Sequence, residues 1–325
     1  MKPKNGLRLV VATMLALGVL GPLEALAQVP RFYWKSLSGA YAVPLIVESM
    51  SGNANPFDPA YTVTEGANIG ATLAMAGYAH TFSLADRAAL VAVILPMGKI
   101  AADVTLDGKT SLQQAAGFGD PMIEFVVNIV GPRAQKTIPD ALRYEPGFSV
   151  DVIADLAVPI GEYDSSKSLN IGQNRWYGRL GAPVTWQLGS WAPGRRTTLE
   201  FLPAVWLLGN NNDYVGQTLE TDPLFGLDVH LTRDLSERLW GALDGVWYFG
   251  GRSSVNGVPG EKLNNVGIGI TLGYALNDNL GLTFSYKSTV NDRAPEKLRM
   301  DVFMVSLAFG WHPIVEGSKR LQGEK

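Results

Sequence analysis

Ionisable side chains recur at alternate positions within apolar stretches of this sequence, where each needs a polar neighbour or water. Nine of them fall on the small or polar face of a period-two pattern: Glu124, Asp151, Asp155, Arg179, Glu200, Asp228, His230, Asp244 and Lys287. A charge that faces lipid near the bilayer midplane costs a few kcal/mol, so we predict that these side chains line the lumen of a barrel.

In a narrow lumen such groups would pair with one another, or would constrict and polarise a channel. Each residue taken singly is explained as well by a network of salt bridges and hydrogen bonds that merely fills the lumen. As a set, with acids outnumbering bases, the nine residues define the character of the lumen.

Catalytic chemistry has little support in the sequence. The histidines are His80, His230 and His312, and no serine with a nucleophile signature accompanies them. His230 lies two residues from Asp228 on the same face, which favours a polar lumen histidine over a catalytic base. Three scattered histidines give no metal-ligand spacing, and the absence of cysteine excludes thiolate chemistry. We therefore predict a protein that is not an enzyme and has no cofactor or metal.

The first 27 residues have the pattern of a cleavable export signal. Lys2 and Arg8 give a positive start, residues 9–20 are almost unbrokenly apolar, and Ala25 and Ala27 occupy the positions that a signal peptidase reads. An N-terminal membrane anchor is the alternative, but the apolar run is short for a span of about 20 residues. We predict cleavage after Ala27, and a lipid-anchored form is excluded because the chain has no cysteine.

Composition narrows the fold class. Hydrophobic residues make up 46% of the 325 residues, charged residues only 18%, and glycines number 36. This mixture is too apolar for disorder and too glycine-rich for a helical bundle. The formal net charge of −3 does not favour a nucleic-acid partner, which would need a concentrated basic stripe. Because no later stretch is apolar enough for a helical span, an outer-membrane β-barrel and a secreted β-sandwich remain.

Period-two alternation identifies the strands. In the last segment Phe303, Val305, Leu307, Phe309 and Trp311 share one face, and small or polar residues mostly occupy the other. Twelve such segments are predicted, near residues 36–49, 67–83, 88–104, 118–130, 147–159, 175–189, 196–209, 221–233, 239–251, 264–275, 280–290 and 299–312. The sequence therefore predicts an all-β fold, a transmembrane antiparallel up-and-down barrel of about 12 strands.

The connections alternate in length, as they do in outer-membrane barrels with short periplasmic turns and long outer loops. The exception is the linker 131–146, which is long where a short turn is expected. The predicted organisation is a cleaved signal peptide (1–27), a periplasmic N-terminal lead (28–35), the barrel (36–312) and a C-terminal tail (313–325). Residues 28–35 could alternatively plug the lumen.

Several motifs, in this order and spacing, resemble an outer-membrane family named after the meta-cleavage pathway of phenol degradation. They are Gly117-Phe118-Gly119-Asp120-Pro121, Val158-Pro159-Ile160-Gly161-Glu162-Tyr163, Asn170-Ile171-Gly172-Gln173-Asn174-Arg175-Trp176, Asp228-Val229-His230 with Trp240, and Asp244-Gly245-Val246-Trp247-Tyr248-Phe249-Gly250-Gly251. The resemblance covers residues 65–312 and implies a role in moving hydrophobic or aromatic compounds across the outer membrane of a Gram-negative bacterium.

The leading hypothesis is a passive channel for small, hydrophobic or aromatic organic solutes. Its expected partners are outer-membrane lipid, those solutes and the outer-membrane assembly machinery. One alternative is a structural or ligand-binding barrel plugged by its own side chains. Two others are a lipid-modifying outer-membrane enzyme and the secreted β-sandwich.

Overall fold

The computed structural model describes residues 28–106, 109–291 and 297–321, and it shows a closed antiparallel barrel. The strands are β1 (Tyr41–Gly52), β2 (Ala67–Leu84), β3 (Arg87–Leu106), β4 (Lys109–Phe118), β5 (Met122–Val130), β6 (Phe148–Ala157), β7 (Tyr177–Gly181), β8 (Val184–Gln187), β9 (Thr197–Leu208), β10 (Asn211–Tyr214), β11 (Gln217–Thr221), β12 (Leu224–Asp234), β13 (Leu239–Gly250), β14 (Ser253–Val255), β15 (Val258–Pro259), β16 (Leu263–Ala275), β17 (Leu280–Thr289) and β18 (Met300–Trp311). β4 with β5, and β7 with β8, each form one interrupted wall strand, so the wall has the twelve predicted strands.

The wall closes because its first and last strands pair along their whole length. The register of β1 with β18 runs from Tyr41 opposite Trp311 to Gly52 opposite Met300. On the far side β9 pairs with β12, which joins the two halves of the sheet. A closed sheet leaves few unpaired backbone groups to face lipid. The predicted transmembrane barrel is confirmed.

The alternation gives the wall an apolar outer face. Leu243, Ile270 and Phe303 are more than half exposed in the isolated chain, whereas their neighbours on the other face, such as Asp244 and Thr271, are buried. An exposed row of large apolar side chains is the surface that contacts acyl chains in a barrel. No helix in the described part of the chain is long and apolar enough to cross a membrane.

Three predicted loops contain strands. Most of the predicted loop 105–117 is β4, which continues the β3 hairpin from the pairing of Leu106 with Lys109. Asp107 and Gly108 lie outside the described residues, and this dipeptide is a strong two-residue hairpin signal that the alternation analysis overlooked. The predicted loops 210–220 and 252–263 carry the short strands of a four-stranded sheet, β10-β11-β14-β15. Their polar composition does not prevent pairing because the strands form at the surface.

The two ends of the barrel differ. The end at which β1 begins and β18 ends is here called the terminal end, and the turns there are short except for the linker 131–146; the longer connections lie at the other end, the loop end. The long linker predicted near 131–146 contains the short helix α1 (Ile138–Arg143), which Thr137 caps in a reciprocal capping box with Asp140. Lys136 of this linker bonds Asp86 in the β2–β3 turn and holds the pKa of that exposed carboxyl below its ordinary value.

Residues 28–40, called the plug below, lie inside the barrel and not beneath it. The contacts of residues 28–35 with buried wall side chains agree with the alternative of a plug in the lumen, and residues 36–40 belong to the same segment because the first wall strand begins at Tyr41. The helix α2 (Pro313–Leu321), within the predicted tail, follows β18. Leu37 and Ala40 of the plug pack with Ala141 of α1 and Val315 of α2, which covers the terminal end.

Replacing Leu243 by Arg tests the lipid-facing assignment. Leu243 lies midway along β13 on the outer face, so the variant should lose about 2–4 kcal/mol of unfolding free energy, measured by denaturant titration in lipid vesicles. The matched control is Leu235→Arg, because Leu235 is equally exposed but lies in the turn at the terminal end. There we expect a loss of about 0–1 kcal/mol. Equal losses in both variants would contradict the placement of the membrane.

Candidate functional site: the lumen and its plug

All nine predicted lumen residues face inward in the structure, and each is buried. They come from different wall strands: Glu124 from β5, Asp151 and Asp155 from β6, Arg179 from β7, Glu200 from β9, Asp228 and His230 from β12, Asp244 from β13 and Lys287 from β17. They lie on the inner face of the eight consecutive wall strands from β5 to β17, which we call the charged side.

Arg179 is the centre of one group on the charged side. Glu124 stands opposite Asp155 in the register of β5 with β6, and Asp155 stands opposite Arg179 in that of β6 with β7. Arg179 Nε donates to Asp155 Oδ2 at 2.5 Å, and its Nη2 lies 3.9 Å from Glu124 Oε2. Two carboxyl groups thus share one guanidinium, and Asp155 has the shorter contact with it.

His230 is the centre of a second group. Its Nδ1 lies 2.7 Å from Asp244 Oδ1, across the β12–β13 pair. Thr271 Oγ1 donates to the other oxygen of Asp244 at 2.6 Å and is itself 2.9 Å from Ser285 Oγ. The sequence placed His230 beside Asp228, but its partner is Asp244, because side chains on adjacent strands are closer than those two apart on one strand.

The other two histidines lie far from this group. The His80 ring stacks on Tyr41 at the outer face, with centroids 4.5 Å apart. His312 Nε2 lies 2.9 Å from the carbonyl oxygen of Ser38 at the terminal end. The three histidines are thus not brought together, and no cluster of three metal-ligating side chains occurs in the described ranges.

The plug is held to the charged side mainly through Arg31. Its backbone nitrogen donates to Glu200 Oε2 at 2.7 Å, and its Nη1 forms an ion pair with Asp234 Oδ1 at 2.7 Å. The guanidinium also lies over the rings of Trp34 and Trp240, 4.2 and 4.5 Å from their centroids. Desolvation is costly for a guanidinium that is only 1% exposed, and these contacts offset that cost.

Further contacts fix the rest of the plug. Trp34 Nε1 donates to Glu200 Oε1 at 2.8 Å, and Lys35 forms an ion pair with Asp151. Phe32 and Tyr33 pack in an apolar cluster with residues of β2 and β3 and with apolar residues of β5, β6 and β9, namely Ala79, Leu90, Ala92, Val126, Ile153 and Leu202. The plug therefore has a charged face and an apolar face, each matched to the wall beside it.

Sequence reasoning missed several members of this network. Arg31 and Lys35 lie in a segment without period-two alternation. Glu48 lies on the inward face of β1, and Asp234 falls between the predicted strands 221–233 and 239–251. Asp234 ends β12 and binds Arg196 as well as Arg31, in both cases at 2.7 Å. The sequence feature that could have revealed Arg31 and Lys35 was their position soon after the export signal, in a chain whose predicted lumen is acidic.

The charges of the wall do not balance without the plug. Eight acids are buried on the described wall strands: Glu48, Glu124, Asp151, Asp155, Glu200, Asp228, Asp234 and Asp244. The buried bases there are Arg179 and Lys287, with Arg196 directly before β9. Arg31 and Lys35 of the plug bring two further positive charges to this surface.

The inner face of the remaining four wall strands is mostly apolar, with Glu48 of β1 as its buried acid. The inner face of β18, β1, β2 and β3 carries Met300, Met304, Met50, Met75 and Ile100, which join side chains of the folded-in outer loops in one buried cluster. The sequence analysis expected small or polar residues on this face, which holds for Ser306 but not for the methionines. We call this inner face of β18 to β3 the apolar side.

A cavity of about 1140 Å³ opens at the loop end beside the apolar side. Its wall includes Met50, Ala71, Ile100 and Ala115, and the β6–β7 loop contributes Ile171 with polar residues such as Tyr163 and Lys167. Polar and charged side chains such as Lys99, Gln114 and Glu162 also line this space, so it is large enough for a small organic molecule and offers it both apolar and polar contacts.

Three of the motifs singled out in the sequence meet above this cavity, at Asp120. This residue lies in the interruption between β4 and β5, and its carboxylate accepts from the backbone nitrogens of Gly161 and Gln173, both at 2.8 Å. A Cβ on Gly161 would lie 2.6 Å from the Gly119 carbonyl carbon, so only glycine permits this approach. Asp120 therefore ties the β6–β7 loop to the wall.

Comparison with known proteins gives a family and a fold. The sequence profile of the family described as "Putative MetA-pathway of phenol degradation" matches residues 52–306. A search of curated protein sequences found no match. Among solved structures, the COG4313 outer membrane channel from Pseudomonas putida F1 is similar, with a TM-score of 0.68, 15% identity, and coverage of 90% of this chain and 100% of that chain.

The translocator domain of the autotransporter NalP from Neisseria meningitidis is more distant. Its TM-score is 0.48 at 11% identity, over 84% of this chain and 88% of that chain. At these identities the solved structures support the barrel fold alone.

Replacing Asp120 by Asn tests the loop attachment. An amide can accept at one oxygen only, so at least one of the two backbone bonds is lost. Since a hydrogen bond to a charged group contributes about 1.5–3 kcal/mol, amide exchange at Gly161 and Gln173 should accelerate about ten-fold or more. The control is Asp164→Asn, which removes an exposed carboxylate of the same loop that binds Ser166. Unchanged exchange at both amides in the Asp120 variant would refute the attachment.

Proposed function

This chain belongs to the phenol-degradation family whose profile it matches, and we propose that it is an outer-membrane channel for passive uptake of small hydrophobic or aromatic compounds. The observation that best supports this proposal is the apolar side of the lumen, which lies beside the cavity at the loop end. Methionine side chains are flexible and polarisable, so a row of them offers contacts to ring-shaped solutes of differing outline.

The proposed orientation follows from the two ends of the barrel. The terminal end faces the periplasm and the loop end faces the medium, as in barrels with short inner turns and long outer loops. A solute would enter the cavity beneath the β6–β7 loop and move along the apolar side. The nine predicted lumen residues border this path on the charged side, where they disfavour contact with apolar solutes and set the selectivity for charged ones.

The plug is the barrier in this proposal. It fills the lumen between the two sides and is bound by Glu200, Asp234 and Asp151, so passage requires its displacement. The presence of the plug in the lumen also favours a second candidate, a barrel whose lumen stays closed and whose outer loops bind a ligand. The two candidates differ in solute flux and not in fold.

Flux measurements separate these candidates. Mature protein in liposomes should admit an aromatic acid such as benzoate faster than a sugar of similar size. Deletion of residues 28–37 should raise ion conductance and, because eight buried wall acids then face three buried bases, should favour cations over anions by about ten-fold. The control is Arg133→Ala, which removes an exposed charge at the terminal end without touching the plug.

No entry of benzoate through folded protein, with or without residues 28–37, would reject the channel and favour the binding barrel. Equal entry of benzoate and the sugar would indicate a general pore and reject the selectivity for aromatic compounds. Folding is checked in each case by heat-dependent mobility on gels.

A further inference from the structure

The backbone nitrogen of Gln28 is buried within the lumen. It donates to Asp228 Oδ2 at 3.0 Å, and Gln28 itself is only 2% exposed. In the sequence Gln28 directly follows Ala27, the residue after which the export signal is predicted to be cleaved. After such cleavage this nitrogen is no longer an amide but the α-ammonium group of the mature chain.

We propose that Asp228 is the binding site for this new α-ammonium group, and that their ion pair seats the plug in the lumen. The proposal rests on the predicted cleavage after Ala27 and holds whichever solutes the barrel admits. It assigns to Asp228 a role in recognising the processed N-terminus of its own chain.

The pairing of neighbouring acids supports this assignment. Asp151 pairs with Lys35, Asp155 with Arg179, and Asp234 with Arg31. The group that faces Asp228, where these other acids face a cation, is the backbone nitrogen of Gln28. A neutral amide would supply one proton and no charge, whereas an ammonium group supplies three donors and a positive charge. An ammonium group therefore compensates a buried carboxylate far better than a neutral amide does.

The other polar atoms of Gln28 are oriented consistently. Its side-chain oxygen Oε1 accepts from Arg179 Nη1 at 3.1 Å, and its carbonyl oxygen lies 3.4 Å from Lys287 Nζ. The two oxygens thus face cations and the nitrogen faces an anion.

The charge balance of the lumen also supports an α-ammonium group at Gln28. Eight buried acids of the wall face three buried bases, and Arg31 and Lys35 of the plug leave the acids in excess. An α-ammonium group at Gln28 adds a third positive charge to the plug at its deepest point. Asp228 is 6% exposed and lies on β12 between Leu202 of β9 and Val246 of β13, so water gives it little screening.

The test uses full-length precursor exported to the outer membrane of a Gram-negative host. N-terminal sequencing of the purified barrel should read Gln28 with a free amine. Plug release is then followed as the rate at which a maleimide labels Val29→Cys, the single cysteine of each protein. The compared variants carry Asp228→Asn, or a glycine inserted between Ala27 and Gln28, which displaces the amine.

Both changes should accelerate labelling about ten-fold or more, because each leaves a buried charge without its partner. The control Asp244→Asn removes an equally buried acid that binds His230 and Thr271 and has no contact with the plug in the described structure. Its labelling rate should stay within about two-fold of the parent. Heat-dependent gel mobility confirms that each barrel is folded.

A mature chain that begins elsewhere than Gln28, or whose amine is blocked by cyclisation of the glutamine, would overturn the proposal. So would equal labelling rates in the Asp228 and Asp244 variants. Because labelling reports the position of the plug and not solute passage, none of these outcomes depends on whether the barrel transports benzoate.

Discussion

Backbone hydrogen bonding in a medium without water is the constraint on which the structure depends. Every wall strand must find a partner on both edges, so the sheet has to close, and it does so through the pairing of β1 with β18. Closure with twelve strands in turn brings all inward side chains into one narrow space. Whatever polar groups the inner face carries must then be compensated within that space.

The lumen meets this requirement by dividing its wall. Along β18 to β3 most inward positions are apolar, with Glu48 of β1 as a buried acid among them, and they pack with one another and with the outer loops. Along β5 to β17 they are acids with too few bases, and the deficit is made up by a segment that is not part of the wall. The plug is therefore an electrostatic component of the barrel and not an appendage, since its removal would leave buried carboxylates without partners.

The wall was predictable because one physical signal determines it. Lipid on one side and a lumen on the other impose period-two alternation, which identified twelve strands and the inward direction of residues from Glu124 to Lys287. The partners of these residues were not predictable, because they depend on register: His230 binds Asp244 and not Asp228. The plug has no periodicity, and its fit depends on side chains far along the chain. For the same reason the meeting of three motifs at Asp120 could not be read from their spacing.

The position of the plug at the start of the chain also has a consequence for the order of assembly. Its partners are distant in sequence, with 200 residues between Gln28 and Asp228 and 259 between Gln28 and Lys287. The segment that leaves the export machinery first therefore completes its contacts only after β17, which carries Lys287, has been delivered. Lys35 has no carboxylate to bind until Asp151 of β6 has been delivered, and Arg31 has none until Glu200 of β9 and Asp234 of β12 have followed. Barrel closure and plug insertion must accordingly be coupled in time, because a wall sealed at β1 and β18 offers the plug entry only through the terminal end.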